Sequence, residues 1–165
     1  MDIQKELIEE FEIESSKTRK MLEAIPEEAN FSWRPHAKSM PLGKLAEHVA
    51  GVPGEWALGT LTKDKVEWDG KSGAEAPANK AALLESFDRD VAKSKEALAA
   101  IVLEKWDANW KFVFGEQVWL NGSKYRIWRE DVINHMIHHR GQLGTYLRLL
   151  DAKIPGCYGP SADEM

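Results

Sequence analysis

Four stretches of this chain repeat apolar residues at the spacing of one helix face, and that pattern constrains the fold more than any other feature. The first runs from Ile3 to about Ala24. Ile3, Leu7, Phe11, Thr18, Met21 and Leu22 form its stripe, charged residues fill the other side, and Pro26 ends it. The second, Pro41 to Leu61, carries Leu42, Leu45, Ala46, Val49, Val52 and Trp56. Pro53 removes a backbone donor in its middle, so a kink is expected between Gly51 and Gly54. The third, Asn79 to Ile101, repeats Leu83, Leu84, Phe87, Val91 and Leu98, with Asn79 placed as N-cap. The fourth spans Arg126 to Leu150.

The connections are less regular. Residues 68–80 read as a polar, glycine-containing loop. Residues 104–128 resist assignment. Asn121-Gly122 between aromatic and β-branched residues signals either a hairpin turn or a turn leading straight into the last helix. The expectation is an all-α four-helix bundle, residues 1–165 forming one domain, with a short β-hairpin or an irregular connection before the last helix.

Composition narrows the function classes. A formal net charge of -5 with no Lys/Arg-rich run argues against a nucleic-acid or anionic-membrane partner. The opening MDIQKELIEEFEIESSK is too charged for a signal peptide, and nothing approaches a membrane span. Cys157, the single cysteine, cannot form an intrachain disulfide. These features point to a reducing cytoplasm.

Against that background the histidines stand out. Three of the five lie in INHMIHHRGQL, residues 133–143. Helical residues four apart differ by only about 40° around the axis, so His135 and His139 share a face with Val132, Met136, Leu143 and Leu147. This is the spacing at which one helix offers two imidazoles to one metal, although such a pair alone is more often merely solvated or satisfied. His138 projects farther round. A third donor would come from His48 on the second helix, since facing helices build metal sites in bundles. His36, in a loop, is the weaker candidate.

The segments SMPLGKLAEHVAGVP and NHMIHHRGQL and the tail IPGCYGPSADE resemble the DinB-like family of small metal-binding four-helix proteins, over nearly the whole chain. This is the damage-inducible family, unrelated to the polymerase of the same name. The resemblance implies His48, His135 and His139 as metal ligands. It also implies an up-down-down-up bundle, a homodimer and a stress-induced role. Characterised relatives include metal-dependent thiol S-transferases and a thiol-dependent isomerase, while many members have no known activity.

Three neutral imidazoles leave a divalent ion with open positions, the composition of a catalytic rather than a closed structural site. Zn or Ni lead, and Fe, Mn or Cu stay open. An open metal can bind and deprotonate a low-molecular-weight thiol for attack on an epoxide, alkyl halide or other small electrophile. The alternatives are a metal-dependent hydrolase on the same residues and a non-catalytic metal-binding dimer. No side chain is assigned as catalytic. Asp131 would receive an imidazole N–H from His135, unless it only favours the helix dipole. Gln142 would hold a metal-bound water or bond across helices. Arg140 would meet a substrate carboxylate or pair with a surface acid. Glu47 and Glu55 are the nearest acids on the second helix. Trp106, Trp110, Trp119 and Trp128 either line an apolar mouth or fill the core. Loops 26–40 and 62–78 would build the rest of that mouth.

Overall fold

Two capping side chains set the first and third helices. In the computed structural model, which describes residues 2–70 and 79–165, Asp2 accepts from the amides of Gln4 and Lys5 and opens α1, Ile3–Glu23. Asn79 accepts from the Ala82 amide at 2.9 Å and opens α3, Lys80–Ala100. Side-chain oxygens there satisfy amides that a first helical turn leaves without partners. The second helix, α2, covers Leu42–Val52 and continues through a π turn, Pro53–Ala57, into a last α-turn, Leu58–Thr62. The expected kink at Pro53 takes this form: proline supplies no N–H, and the Leu58 amide reaches the Pro53 carbonyl. The fourth, α4, begins at Lys124–Ile127, widens into a π segment, Trp128–Asn134, and runs on as His135–Leu149.

The chain is not purely helical. A three-stranded sheet holds β1, Lys65–Trp68, β2, Asn109–Phe114, and β3, Gln117–Ser123. β1 pairs parallel to β2, and β2 pairs antiparallel to β3. The hairpin turn is Gly115-Glu116, not Asn121-Gly122. Gly115 has φ +57°, a conformation that glycine adopts without steric cost. Asn121 and Gly122 lie within β3, and Ser123 then caps the start of α4 by accepting from the Arg126 amide. Residues 62–78, expected as loop, contain β1; the part of that loop and of 68–80 at residues 71–78 lies outside the described residues.

Apolar faces of all four helices meet in two clusters. One gathers Met21, Leu22, Leu45, Val49, Leu83, Phe87, Leu143 and Leu147; the other gathers Leu7, Phe11, Val52, Leu98, Trp128, Val132 and Met136. The inner face of the sheet rests on the end of α2. Trp110 is fully buried there and donates its indole N–H to the Gly59 carbonyl at 3.0 Å. The loop before α2 is pinned by amides of Leu42 and Gly43 donating to the carbonyls of Trp33 and Phe31. Gly43 is required at this approach, because a Cβ would stand 2.9 Å from that of Phe31. Trp33 packs edge-on against Tyr146 of α4, with ring centres 5.7 Å apart. Among the described residues no helix is long and apolar enough to cross a membrane.

A buried ion pair ties α1, α4 and the tail together. Arg140, 2% exposed, donates to Glu14 Oε2 at 2.6 Å, to the Glu14 carbonyl and to Thr18 Oγ1. The Tyr158 hydroxyl accepts from Arg140 and donates to Glu14, each at 2.8 Å. Burial works against the Glu14 charge, but hydrogen bonds from Lys17, Tyr158 and Arg140 hold its carboxyl below the usual range. Removing one partner strands the other charge in the interior. Glu14→Ala should therefore lower the unfolding free energy in urea by about 3–5 kcal/mol, whereas the double change Glu14→Leu with Arg140→Met should recover most of that loss.

Candidate metal centre

His48 sits on α2 between Val49 and Leu45 of one apolar cluster and Val52 of the other. His135 and His139 open the α-helical part of α4, between Ile133 and Leu143. Packing these two helices together brings the three rings to one place. Ring centres are 4.9 Å apart for His48 and His135, 4.4 Å for His48 and His139, and 4.7 Å for His135 and His139. Nε2 of His48 and Nε2 of His135 are 3.0 Å apart. One ligand atom from each of the three residues lies within 4.8 Å of the others, so the group could hold a metal ion.

The outer nitrogens are already committed. His135 Nδ1 lies 3.2 Å from the Asp131 backbone carbonyl, and His139 Nδ1 lies 2.7 Å from Gln142 Oε1. Both partners are acceptors, so each Nδ1 carries the proton and each Nε2 keeps its lone pair. That is the tautomer in which Nε2 ligates a cation while an outer hydrogen bond fixes the ring. Burial lowers the His48 pKa to about 4, helped by His139 and then His135. Burial likewise lowers His135 to about 4, with His139 adding to it, and it lowers His139 as well. All three imidazoles are thereby neutral near pH 7, the protonation state that binds metal. Imidazole nitrogens of this kind are the commonest side-chain donors to transition metals.

The supporting residues take different places from those expected. Asp131 serves His135 through its main-chain carbonyl and not through its carboxylate, because residues four apart on a helix bring a carbonyl under the ring. Gln142 accepts the His139 N–H through Oε1. Arg140, read as a substrate or surface-acid partner, is buried instead, and its bonds run inward to Glu14. Glu47 pairs with Lys44 at 3.0 Å. The Glu55 carboxyl is pushed up by desolvation and by the charges of Glu47 and Asp90. His138 is exposed and does not join the converging group. His36 is also exposed, and its Nδ1 accepts from the Lys38 amide. Cys157 packs against the cluster of Met21 and Leu22.

The tryptophans divide. Trp106, Trp110 and Trp128 are core residues, whereas Trp119 is 52% exposed. The aromatic neighbour of the histidines is Trp56, whose ring stands edge-on to His135 at 5.3 Å and is backed by Phe112 of β2 at 5.0 Å. Trp56 is legible as part of the α2 stripe, but nothing local in the sequence brings Phe112 to it.

Comparison with known proteins bears on the last helix and on the fold. The sequence profile of the DinB family matches residues 131–165, which contain His135, His139 and the tail; His48 lies outside the matched segment. The fold is similar to that of a DinB-like protein from Bacillus cereus ATCC 10987, with a TM-score of 0.73 and 21% identity, covering 92% of this chain and 95% of that one. No curated protein sequence matches the chain.

The lowered imidazole pKa values have a consequence for the metal-free protein. Groups at about 4 when folded and 6.5 when unfolded bind fewer protons in the native state. Stability is then full above pH 6.5 and falls as the pH drops toward 4. Urea midpoints of metal-free protein should decline across that window, and His135→Ala should flatten the decline. An unchanged slope in that variant would remove His135 as a source.

Proposed function

We propose that this chain is a DinB-family metalloprotein in which His48, His135 and His139 hold one divalent transition metal, Zn or Ni first, for transfer of a low-molecular-weight thiol. The observation that carries the reading is the convergence of three neutral imidazoles from two helices, two of them with Nδ1 tied back. A divalent ion bound there would lower the pKa of a coordinated thiol toward neutrality. His135 and His139 hold their rings in place through Asp131 and Gln142, and the surrounding apolar residues limit water. In the transfer the thiol proton passes to solvent, a sulfur–carbon bond forms, and the bond from that carbon to the leaving group breaks with its electron pair going to the leaving group. An up-down-down-up order of the helices, one domain over residues 1–165, a homodimer, a stress-induced role, a cytoplasmic setting and the absence of nucleic-acid and membrane partners belong to the same reading.

Two measurements test it. Metal analysis of protein purified without added metal should find about one ion per chain. His48→Ala, His135→Ala and His139→Ala should each lose most of it and lower Tm, by linkage of ligand binding to folding. His36→Ala and His138→Ala should change neither. A screen of thiols against epoxides and alkyl halides should show turnover at least ten-fold above that of chelator-stripped protein. Metal-dependent ester cleavage without any thiol would replace transfer with hydrolysis.

A further inference from the structure

Beside the three histidines runs a continuous series of aromatic rings. Trp56 stands edge-on to His135 at 5.3 Å, Phe112 lies 5.0 Å from Trp56, and Trp119 lies 6.1 Å from Phe112. Trp119 also meets Phe114 at 5.5 Å. The series begins at a half-buried imidazole and reaches Phe114, 38% exposed, and Trp119, 52% exposed, both of which also pack against Trp68 of β1 at 5.0 and 5.5 Å.

The position of Trp119 depends on an irregularity of the backbone. Phe112 pairs with Leu120 and Val113 pairs with Val118, so Trp119 is the extra residue of a β-bulge. In a regular strand, neighbours alternate between faces, and Trp119 would stand opposite to Leu120. The bulge re-aims its side chain onto the face that carries Phe112 and Phe114. Bulges are enriched beside functional sites for this reason. Trp119 lies outside the interior that Trp106, Trp110 and Trp128 fill; it packs on Trp68, Phe112 and Phe114, donates its indole N–H to Gln117 Oε1 at 3.2 Å, and still leaves half of its surface open. A half-exposed indole within a ring series that starts on a candidate metal ligand is suited to receive a flat apolar group on its open face.

We propose that Trp56, Phe112 and Trp119 form the subsite for an aryl group, so that the small electrophile taken by this centre carries an aromatic ring. The inference rests on the thiol-transfer reading for the role of the bound molecule, though not for the existence of the subsite. One end of the ligand reaches the histidines, and its ring lies along Phe112 and against Trp119. Trp119 then sets specificity without touching the metal ligands.

The test uses two chelators with the same metal-binding head, benzohydroxamate and acetohydroxamate, titrated into zinc-loaded and zinc-free protein. Affinity is read by calorimetry, and the indole N–H signals of Trp56 and Trp119 are followed by NMR. The aryl compound should bind zinc-loaded protein at least ten-fold tighter and shift both indole signals. Trp119→Ala should remove most of that preference while metal content and acetohydroxamate affinity stay unchanged. Trp119→Phe should keep part of it. Equal affinities for the two compounds, or a preference untouched in Trp119→Ala, would overturn the subsite and leave the metal reading standing. If zinc is not retained but the aryl compound still shifts both indole signals, the subsite stands and the metal reading falls. No indole shift in either form of the protein removes the subsite.

Discussion

The site depends on how closely α2 and α4 approach. His48 and His135 bring their Nε2 atoms to 3.0 Å where the helices meet through Ala46, Val49 and Val52 on one and Val132, Met136 and Leu143 on the other. Each of these is buried, and interiors at this density do not shift freely to accommodate change. The contact joins residues far apart in the chain. Its precision therefore comes from both apolar clusters at once, since the histidines interrupt the stripe where one cluster gives way to the other.

Both π turns lie near that junction. Pro53–Ala57 ends in the residues that present Trp56, and Trp128–Asn134 ends where His135 begins. A π turn inserts one residue into a helical repeat and rotates the downstream part of the helix relative to the upstream part. In α4 it lets Trp128, Val132 and Ile133 remain buried while His135 and His139 point to the α2 side. Helical regularity is given up at two places so that one face can serve the core and an adjacent one the site.

Much of this was legible in the sequence, and the failures have physical causes. Periodicity located α1 and α3 closely because each begins at a side-chain cap and buries one stripe. The pair His135 and His139 followed from helix geometry, and the third histidine from its place on a facing helix. β1 was not legible: Lys65–Trp68 is four residues long with exposed lysine and glutamate side chains, and its partner strand lies more than forty residues away. Asn121-Gly122 misled because turn propensity is local, while pairing with β2 fixed those residues in a strand. Arg140 read as a surface group for want of any sign that Glu14 would be buried opposite it.

That ion pair also bears on the order in which the chain closes. Glu14 and Arg140 are 126 positions apart, and Tyr158 joins them from the tail. Bringing such distant segments together costs chain entropy that local helical contacts do not. Interactions absent from the folding transition state act mainly on the rate of unfolding. Formed after the barrier, such a pair would be a latch, with little influence on how fast the helices assemble and a large one on how long the assembled helices stay together.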